Sequence, residues 1–330
     1  MMAAPGTSRT ASLTEESRAK AFYEERYSSG YMDEWPLEKK QRIFDLVRAL
    51  GLPQAGRALD FGCGNGVFTE VLRQALGPGW KVTGCEISDV AIENARRRFP
   101  GCEFVPSGDP SLSGRAFDFF FSHHVLEHVS DLTQALRGLD RMTAATAVGL
   151  HVLPCGNPGS FQHGLAMLRH DGIDAALGNR FFLDEEGHVR RLTTDQLVGC
   201  YEQLGFRLVD QHYAGHEFST CQWATAVGPE RVLELTAPGA AVDRRAWWKL
   251  VRLRLRLLGL WAFRHPAQMV RGKLGKPHWS ARDVTLLVAG LPLYPLSRLV
   301  DRWLVARAST EWTTRSADRR GAEMYLVFQR

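Results

Sequence analysis

The sequence has no two cysteines at C-x-x-C spacing. Its six cysteines, Cys63, Cys85, Cys102, Cys155, Cys200 and Cys221, are scattered, which argues against a zinc or disulfide framework. They read as reduced, small core residues of a cytoplasmic protein. The first twenty residues contain no apolar run of the length a signal peptide needs, so secretion is not expected. A bilayer-crossing segment is missing too. Residues 284–300 are mostly apolar, but Pro292, Pro295 and Arg298 interrupt them and the run is short for a span. A buried helical hairpin or a peripheral membrane contact is expected there instead. With 45% apolar and 23% charged residues over 330 positions, disorder is not the default, and one sizeable core plus an accessory unit is affordable.

Acidic residues are absent from one long stretch. Residues 244–282 hold eleven Lys and Arg and no Asp or Glu, which leaves 30 basic against 36 acidic side chains elsewhere. The net charge of +5 therefore comes from this block, which also holds Trp247, Trp248, Trp261 and Trp279. A cationic, aromatic face points to an anionic partner or surface. Read as a helix, Arg245, Lys249, Arg252 and Arg256 form a basic stripe opposite Trp247, Leu250, Val251, Leu258 and Trp261, with Arg254 projecting into the apolar face. Such a helix suits an anionic membrane interface, and it equally suits packing on a core with its basic face in water. No RNA-binding motif accompanies the charge, so nucleic acid is not the expected partner.

What the chain does have is Ala58-Leu-Asp-Phe-Gly-Cys-Gly-Asn-Gly66, a strand that runs into glycines and then a helix. Leu59 and Phe61 alternate as a strand does, Gly62, Gly64 and Gly66 permit a tight turn, and 68–76 supplies the helix. A dinucleotide fingerprint, G-x-G-x-x-G, carries a third glycine that helps seat a pyrophosphate. Here the run is G-x-G-x-G, and Val67 takes that glycine's place. Asp60, two places before Gly62, would repel a phosphate and suits a ligand bearing ammonium and sulfonium charges.

Asp60-Phe-Gly-Cys-Gly-Asn-Gly66 resembles motif I of the class I S-adenosylmethionine-dependent methyltransferases, and the later segments follow in that family's order. Glu86 lies twenty residues after Gly66, where a carboxylate can accept both ribose hydroxyls. Phe104-Val-Pro-Ser-Gly-Asp109 resembles the third-strand end, whose acidic side chain accepts from the adenine amino group. Residues 117–128 resemble the fourth strand and the turn that faces the methyl group. The resemblance covers about 23–213 and the extreme C-terminus. It implies S-adenosylmethionine as cofactor, with Asp60, Gly62, Gly64, Gly66, Glu86, Ile87, Asp109 and Ser122 as binding residues. Phe22, Tyr23, Tyr27 and Tyr31 with Arg26 resemble the segment that closes over the cofactor in many members. Tyr27 and Arg26 are the lid candidates, and core packing is the competing reading of that aromatic cluster.

Methyl transfer from a sulfonium is an in-line displacement, so the protein must hold donor and acceptor in line and, for oxygen or nitrogen acceptors, remove a proton. His124 is the first candidate for that base and His123 the second, acting chiefly through its backbone; a packed or capping histidine is the alternative. Gly187-His-Val-Arg190 resembles the segment covering the active site in many small-molecule methyltransferases. His188 is carried as a further catalytic candidate, and Arg190 and Arg254 as substrate-binding ones; a solvated surface turn fits His188 and Arg190 equally. His124, Glu127 and His128 share a face if they are helical. Ubiquinone-pathway O-methyltransferases and small-RNA 2′-O-methyltransferases look similar here and use a divalent ion. They have Glu where this chain has His124, which speaks against a hard, oxygen-preferring ion, and no metal is the expectation.

The expected fold is α/β, a doubly wound, seven-stranded Rossmann-like methyltransferase sheet with a mainly helical insertion. Strands are predicted at 57–61, 81–86, 103–105, 117–121, 148–153, 207–213 and 323–328, with helices at 15–27, 36–50, 68–76, 90–98, 132–142 and 194–204. The expected organisation is a tail and lid over 1–50, a core over 51–213 with a cover segment at 155–191, a basic insertion over 214–321, and a last strand within 322–330. A hundred-residue return is too long for a structureless loop. The expected reaction is methylation, at oxygen, of a small or lipid-linked acceptor of anionic character, by a cytoplasmic protein peripheral to an anionic membrane surface through 244–282. A nicotinamide-dependent oxidoreductase and a non-catalytic cofactor-binding scaffold stay open as alternatives.

Overall fold

The computed structural model describes residues 15–274 and 278–330, with the backbone alone for residues 15, 16, 286, 287 and 289. The polar tail expected over 1–13 lies outside the described residues. In chain order come α1 (Glu15–Ser28), α2 (Leu37–Ala49), β1 (Gly56–Phe61), α3 (Val67–Leu76), β2 (Trp80–Glu86), α4 (Asp89–Arg98), β3 (Glu103–Pro106), β4 (Phe117–His123), α5 (Leu132–Met142) and β5 (Thr143–Pro154). There follow α6 (Phe161–Ala166), β6 (Ile173–Asp174), β7 (Arg180–Phe181), α7 (Thr194–Glu202) and β8 (Arg207–Ala214). The rest is α8 (Glu217–Ala224), α9 (Pro229–Leu235), α10 (Arg244–Leu274), α11 (Ala281–Gly290), α12 (Tyr294–Arg315) and β9 (Glu323–Gln329). Seven strands form one sheet in the order β3-β2-β1-β4-β5-β9-β8, and β6 pairs with β7 alone.

The chain divides into two compact units. The first takes in the described residues up to Val125, Ser130–Leu150 and Gln329–Arg330; the second takes in Leu126–Val129 and His151–Phe328. In the first, β1 runs parallel to β2 from Gly56 opposite Trp80 to Phe61 opposite Cys85, and parallel to β4 with Asp60 opposite Phe121. Ala58, Leu59, Phe119, Phe120 and Phe121 are fully buried, as strands covered on both faces require. Each such large side chain contributes about 1.5–3 kcal/mol relative to exposure. Cys63 and Cys85 are free thiols buried in this core. The helices begin where side chains can cap them: Ser88 accepts from Ala91 N at the start of α4, and Asp131 from Gln134 N at the start of α5. Strand β5 starts at Thr143, immediately after α5 and earlier than predicted.

In the second unit, α7 opens with a capping box between Thr193 and Gln196. Leu165, Phe181 and Leu183 share one core with Cys221, Val232, Leu235, Leu250, Leu257 and Leu304. The cover segment and the helical insertion therefore share a single hydrophobic centre. Helix α10 buries Ala246, Leu250, Leu257, Arg264, Ala267 and Val270. Trp247, expected on its inner face, is 39% exposed and packs edge-on against Trp248. Pro266 lies inside α10, and Ser297 of α12 accepts from Ala267 N and donates to Arg264 O beside it. The run 284–300 is not the buried hairpin expected as one option. It forms α11, a 3₁₀ turn at Leu291–Leu293 and the start of α12, with Val284, Val288, Leu291, Leu293, Leu296 and Leu299 exposed. Among the described residues no helix is long and apolar enough to cross a membrane.

Candidate functional site

Strand β1 pairs with β2 on one side and β4 on the other, so the sheet order turns around there. Open α/β sheets bind ligands beyond the strand carboxyl ends at such a point. The glycine loop leaves β1 at this point. Gly62 and Gly64 have φ of +74° and +50°, a region that favours glycine. A Cβ on Gly62 would lie 2.5 Å from Val125 Cγ2, and one on Gly64 2.7 Å from Tyr27 Oη, so neither position has room for a side chain.

Two buried carboxylates stand behind this loop. Glu86 Oε2 accepts from Gly64 N (3.0 Å), and its Oε1 from Ile87 N (2.8 Å) and Ser88 N (3.3 Å). Burial pushes the Glu86 carboxyl up from its ordinary range, while the three amides pull it down. Asp60 is 1% exposed and accepts from Thr69 Oγ1 at 2.6 Å. Burial pushes Asp60 up to about 7, against the Thr69 hydrogen bond and with the help of Glu86's charge. A cation beside Asp60 and hydroxyl donors beside Glu86 would offset the desolvation of both. Asp109, at the end of the β3 segment, caps the 3₁₀ turn Pro110–Leu112 by accepting from Ser111 N (2.8 Å), and hydrogen bonds to Ser111 hold its carboxyl low.

Helix α1 reaches the loop through Tyr27, which is buried and whose phenol burial pushes far up. Arg26 lies 3.7 Å over the Tyr31 ring and 5.2 Å from Phe22, a packing position. Asn65 ties the loop to the same segment, donating to Tyr31 O (3.1 Å) and Asp33 Oδ1 (2.7 Å). At the end of β4, Ser122 and His123 are buried, and His123 packs 4.2 Å from Phe68 and edge-on to Trp35 at 4.6 Å. His124 is half-buried at φ +54°, with Nε2 3.5 Å from Lys39 Nζ. A left-handed non-glycine residue is uncommon and clusters at functional sites.

The helical reading of His124, Glu127 and His128 does not hold, because 126–128 is a turn. His124's positive φ ends the strand without starting a helix, and distant donors take the turn's carbonyls. Val189 N donates to Glu127 O (2.9 Å), and Arg190 Nη1 donates to Leu126 O (3.4 Å) and Val129 O. The second unit therefore builds a different group: Glu127, His128 and His188 each bring a metal-capable atom within 4.8 Å of the others. The His128 and His188 rings are 4.5 Å apart, and Asp184 Oδ1 lies 3.9 Å from His188 Nδ1. Burial pushes the Asp184 carboxyl up, and the buried Arg191 guanidinium paired with it pulls it down. Arg254, carried from the sequence as a substrate residue, donates to Leu233 O (2.8 Å) and Thr236 Oγ1 (3.3 Å), which fastens α10 to the end of α9.

Sequence reasoning missed Trp35, Lys39 and Thr69, which surround the histidines and Asp60. It also missed Asp184 and Arg191. Thr69 was readable, since it lies in the first turn of the helix that follows the glycines; the others reach their partners through tertiary packing alone.

A family profile described as a methyltransferase domain matches residues 36–211. The trans-aconitate 2-methyltransferase of Variovorax paradoxus is 32% identical over 114 residues, covering 34% of this chain and 42% of that protein. A demethylmenaquinone methyltransferase of Staphylococcus aureus is 28% identical over 102 residues, 29% of this chain and 42% of that protein. The chain thus spans under half the length of these relatives. Among solved structures, magnesium protoporphyrin IX methyltransferase from Synechocystis with bound SAH aligns over 60% of this chain and 93% of that chain, at 15% identity and a TM-score of 0.45.

Proposed function

This chain belongs to the class I S-adenosylmethionine-dependent methyltransferases, and from that premise we propose that it methylates an oxygen of a small or lipid-linked acceptor. The observation that carries the reading is the glycine loop fastened to Glu86 with Asp60 buried behind it. These residues fit the cofactor. The cradle is one that a Cβ would fill, and its two carboxylates are desolvated. Asp60, Gly62, Gly64 and Gly66 would hold the amino-acid end, Glu86 with Ile87 the ribose, Asp109 the adenine amine, and Ser122 the strand edge beside them. Tyr27 closes over Gly64. When bound, the cofactor supplies an electrophilic methyl group on a sulfonium.

His124 takes the proton from an acceptor hydroxyl, whereas a carboxylate acceptor is already ionised and needs no base, and Trp35 and Phe68 pack His123 so that the strand end keeps its direction. Arg190 acts as a positioning residue that fixes the 126–129 turn. Relatives named for trans-aconitate and demethylmenaquinone support a small-molecule acceptor, one anionic and one lipid-borne. A lipid-linked acceptor would bring the enzyme to an anionic membrane surface as a peripheral protein. The test is incubation with methyl-labelled S-adenosylmethionine and a panel of carboxylic acids, phenols and quinols. Label on oxygen supports the reading. Cofactor binding with no transfer to any acceptor favours a scaffold role, and label on nitrogen or carbon overturns the oxygen assignment.

Glu127, His128 and His188 carry a second reading, a divalent metal. Two imidazoles and one carboxylate suit zinc, manganese or iron(II) better than magnesium, and Asp184 stands where an outer carboxylate would orient His188. Zinc or manganese should raise the melting temperature of the protein and leave that of His128→Ala unchanged. Equal responses in both would remove the metal.

A further inference from the structure

We infer that the exposed face of α11, the Leu291–Leu293 turn and α12 docks into the interface of a bilayer bearing anionic lipid. This deepens the lipid-linked reading above by naming the surface. Helix α12 is built inside out. Its buried stripe, Ser297, Asp301, Leu304, Ala308 and Glu311, is mostly polar. Each polar member has a partner: Ser297 bonds to α10 beside Pro266, Asp301 to Arg264 (3.0 Å) and Arg271, and Glu311 to Phe218 N (2.7 Å) and Ser219 N (3.0 Å) at the start of α8. Leu304 and Ala308 apart, its large apolar residues point mostly the other way. Leu296, Leu299 and Trp303, at i, i+3 and i+7, are 49%, 66% and 47% exposed. Val288, Leu291 and Leu293 precede them at 62%, 54% and 58%. A run of large apolar side chains left in water is not a packing solution for a helix whose polar side is already satisfied.

The charge says what covers it. From Arg244 to Arg315 the chain carries fifteen Lys and Arg and three carboxylates, Asp283, Asp301 and Glu311. All three carboxylates are buried, and Asp283 is held by Lys273 and Ser280. Among the described residues of this segment the surface therefore offers cations and hydrocarbon, with no exposed carboxylate. Arg282, Arg298 and Arg302 are exposed among the apolar residues. That combination matches anionic head groups above acyl chains. A second copy would bring the same positive charge to the contact, and nucleic acid gives the aliphatic side chains nothing to bury against. Among the described residues no helix is long and apolar enough to span, and the contact inferred is a peripheral one.

The experiment is co-sedimentation of the full chain with phosphatidylcholine vesicles, and with phosphatidylcholine–phosphatidylglycerol vesicles at two to one. The protein should pellet with the second kind only. High salt should weaken binding, because the arginines are screened. Leu293→Asp combined with Leu299→Asp should lower the partition coefficient by more than about tenfold, and Arg298→Glu with Arg302→Glu should lower it at low salt. Melting temperature and S-adenosylmethionine affinity should be unchanged in both variants, since these side chains are exposed. The cofactor titration also tests the enzymatic reading separately, so failure of one is not failure of the other. A wild-type protein that stays in the supernatant overturns the proposal. So does equal pelleting of the aspartate variant, a dimer in light scattering that this variant splits, or capture by RNA in place of vesicles.

Discussion

Asp60 and Glu86 behind the glycine loop and Asp283 and Asp301 among the α10–α12 helices are buried carboxylates held in opposite ways. Behind the loop, the described hydrogen-bond donors to Asp60 and Glu86 are neutral: the Thr69 hydroxyl and the amides of Gly64, Ile87 and Ser88. Among the helices, buried Asp301 faces the guanidinium of buried Arg264, and Asp283 faces Lys273. A buried carboxylate with its own counter-ion is scaffold, and so is Glu311, whose charge anchors the Phe218 and Ser219 amides at the start of α8; Asp60 and Glu86, held by neutral donors and raised in pKa by burial at the ligand end of the sheet, gain from a ligand's charge. The difference separates a structural use of buried charge from a binding use, and substitutions can probe each side.

Asp301→Ala should have the largest effect, because it leaves Arg264 buried and unpaired. The expected loss is about 3–5 kcal/mol of stability, read by denaturant unfolding; a loss as small as that of an exposed pair would remove the scaffold half of the contrast. Next, His124→Ala should lower kcat by about 100-fold while the dissociation constant for S-adenosylmethionine stays constant. A change in cofactor affinity with kcat intact would make His124 a packing residue. Glu86→Ala should weaken the cofactor by about 1.5–3 kcal/mol, roughly 10- to 150-fold by calorimetry, and unchanged affinity would deny it a ligand role.

The smallest effect is a pH dependence. A cation bound beside Asp60 favours the carboxylate, so its pKa falls in the complex and binding releases a proton. Affinity should then be flat above the value of about 7 in the free protein and decline toward lower pH. Asp60→Asn should flatten that profile. In the free protein the same shift runs the other way for folding. The folded pKa lies above the unfolded one, so Asp60's contribution to stability is lost as pH rises through about 4 to about 7.

The cofactor half was legible because its signals are local. Alternation in 58–61, three glycines in five residues and a carboxylate ending 81–86 each fix their own backbone, and the strands fall within two residues of their predicted ends except at the start of β5, which comes earlier. The turn at 126–128 was not legible, since its carbonyls are taken by Val189 and Arg190, some sixty residues on. That pairing also brings His188 to Glu127 and His128 in place of His124. The helical block misled in another way. Apolar residues in 284–300 read as core, whereas the polar stripe of α12 takes the inside and leaves the apolar one exposed.

Calorimetric titration of the purified protein with S-adenosylmethionine, S-adenosylhomocysteine and NADH tests the central claim most directly. The account predicts one site for the two sulfur compounds, weakened in Glu86→Ala, and no heat with NADH. Binding of NADH, or of neither sulfur compound, would contradict it.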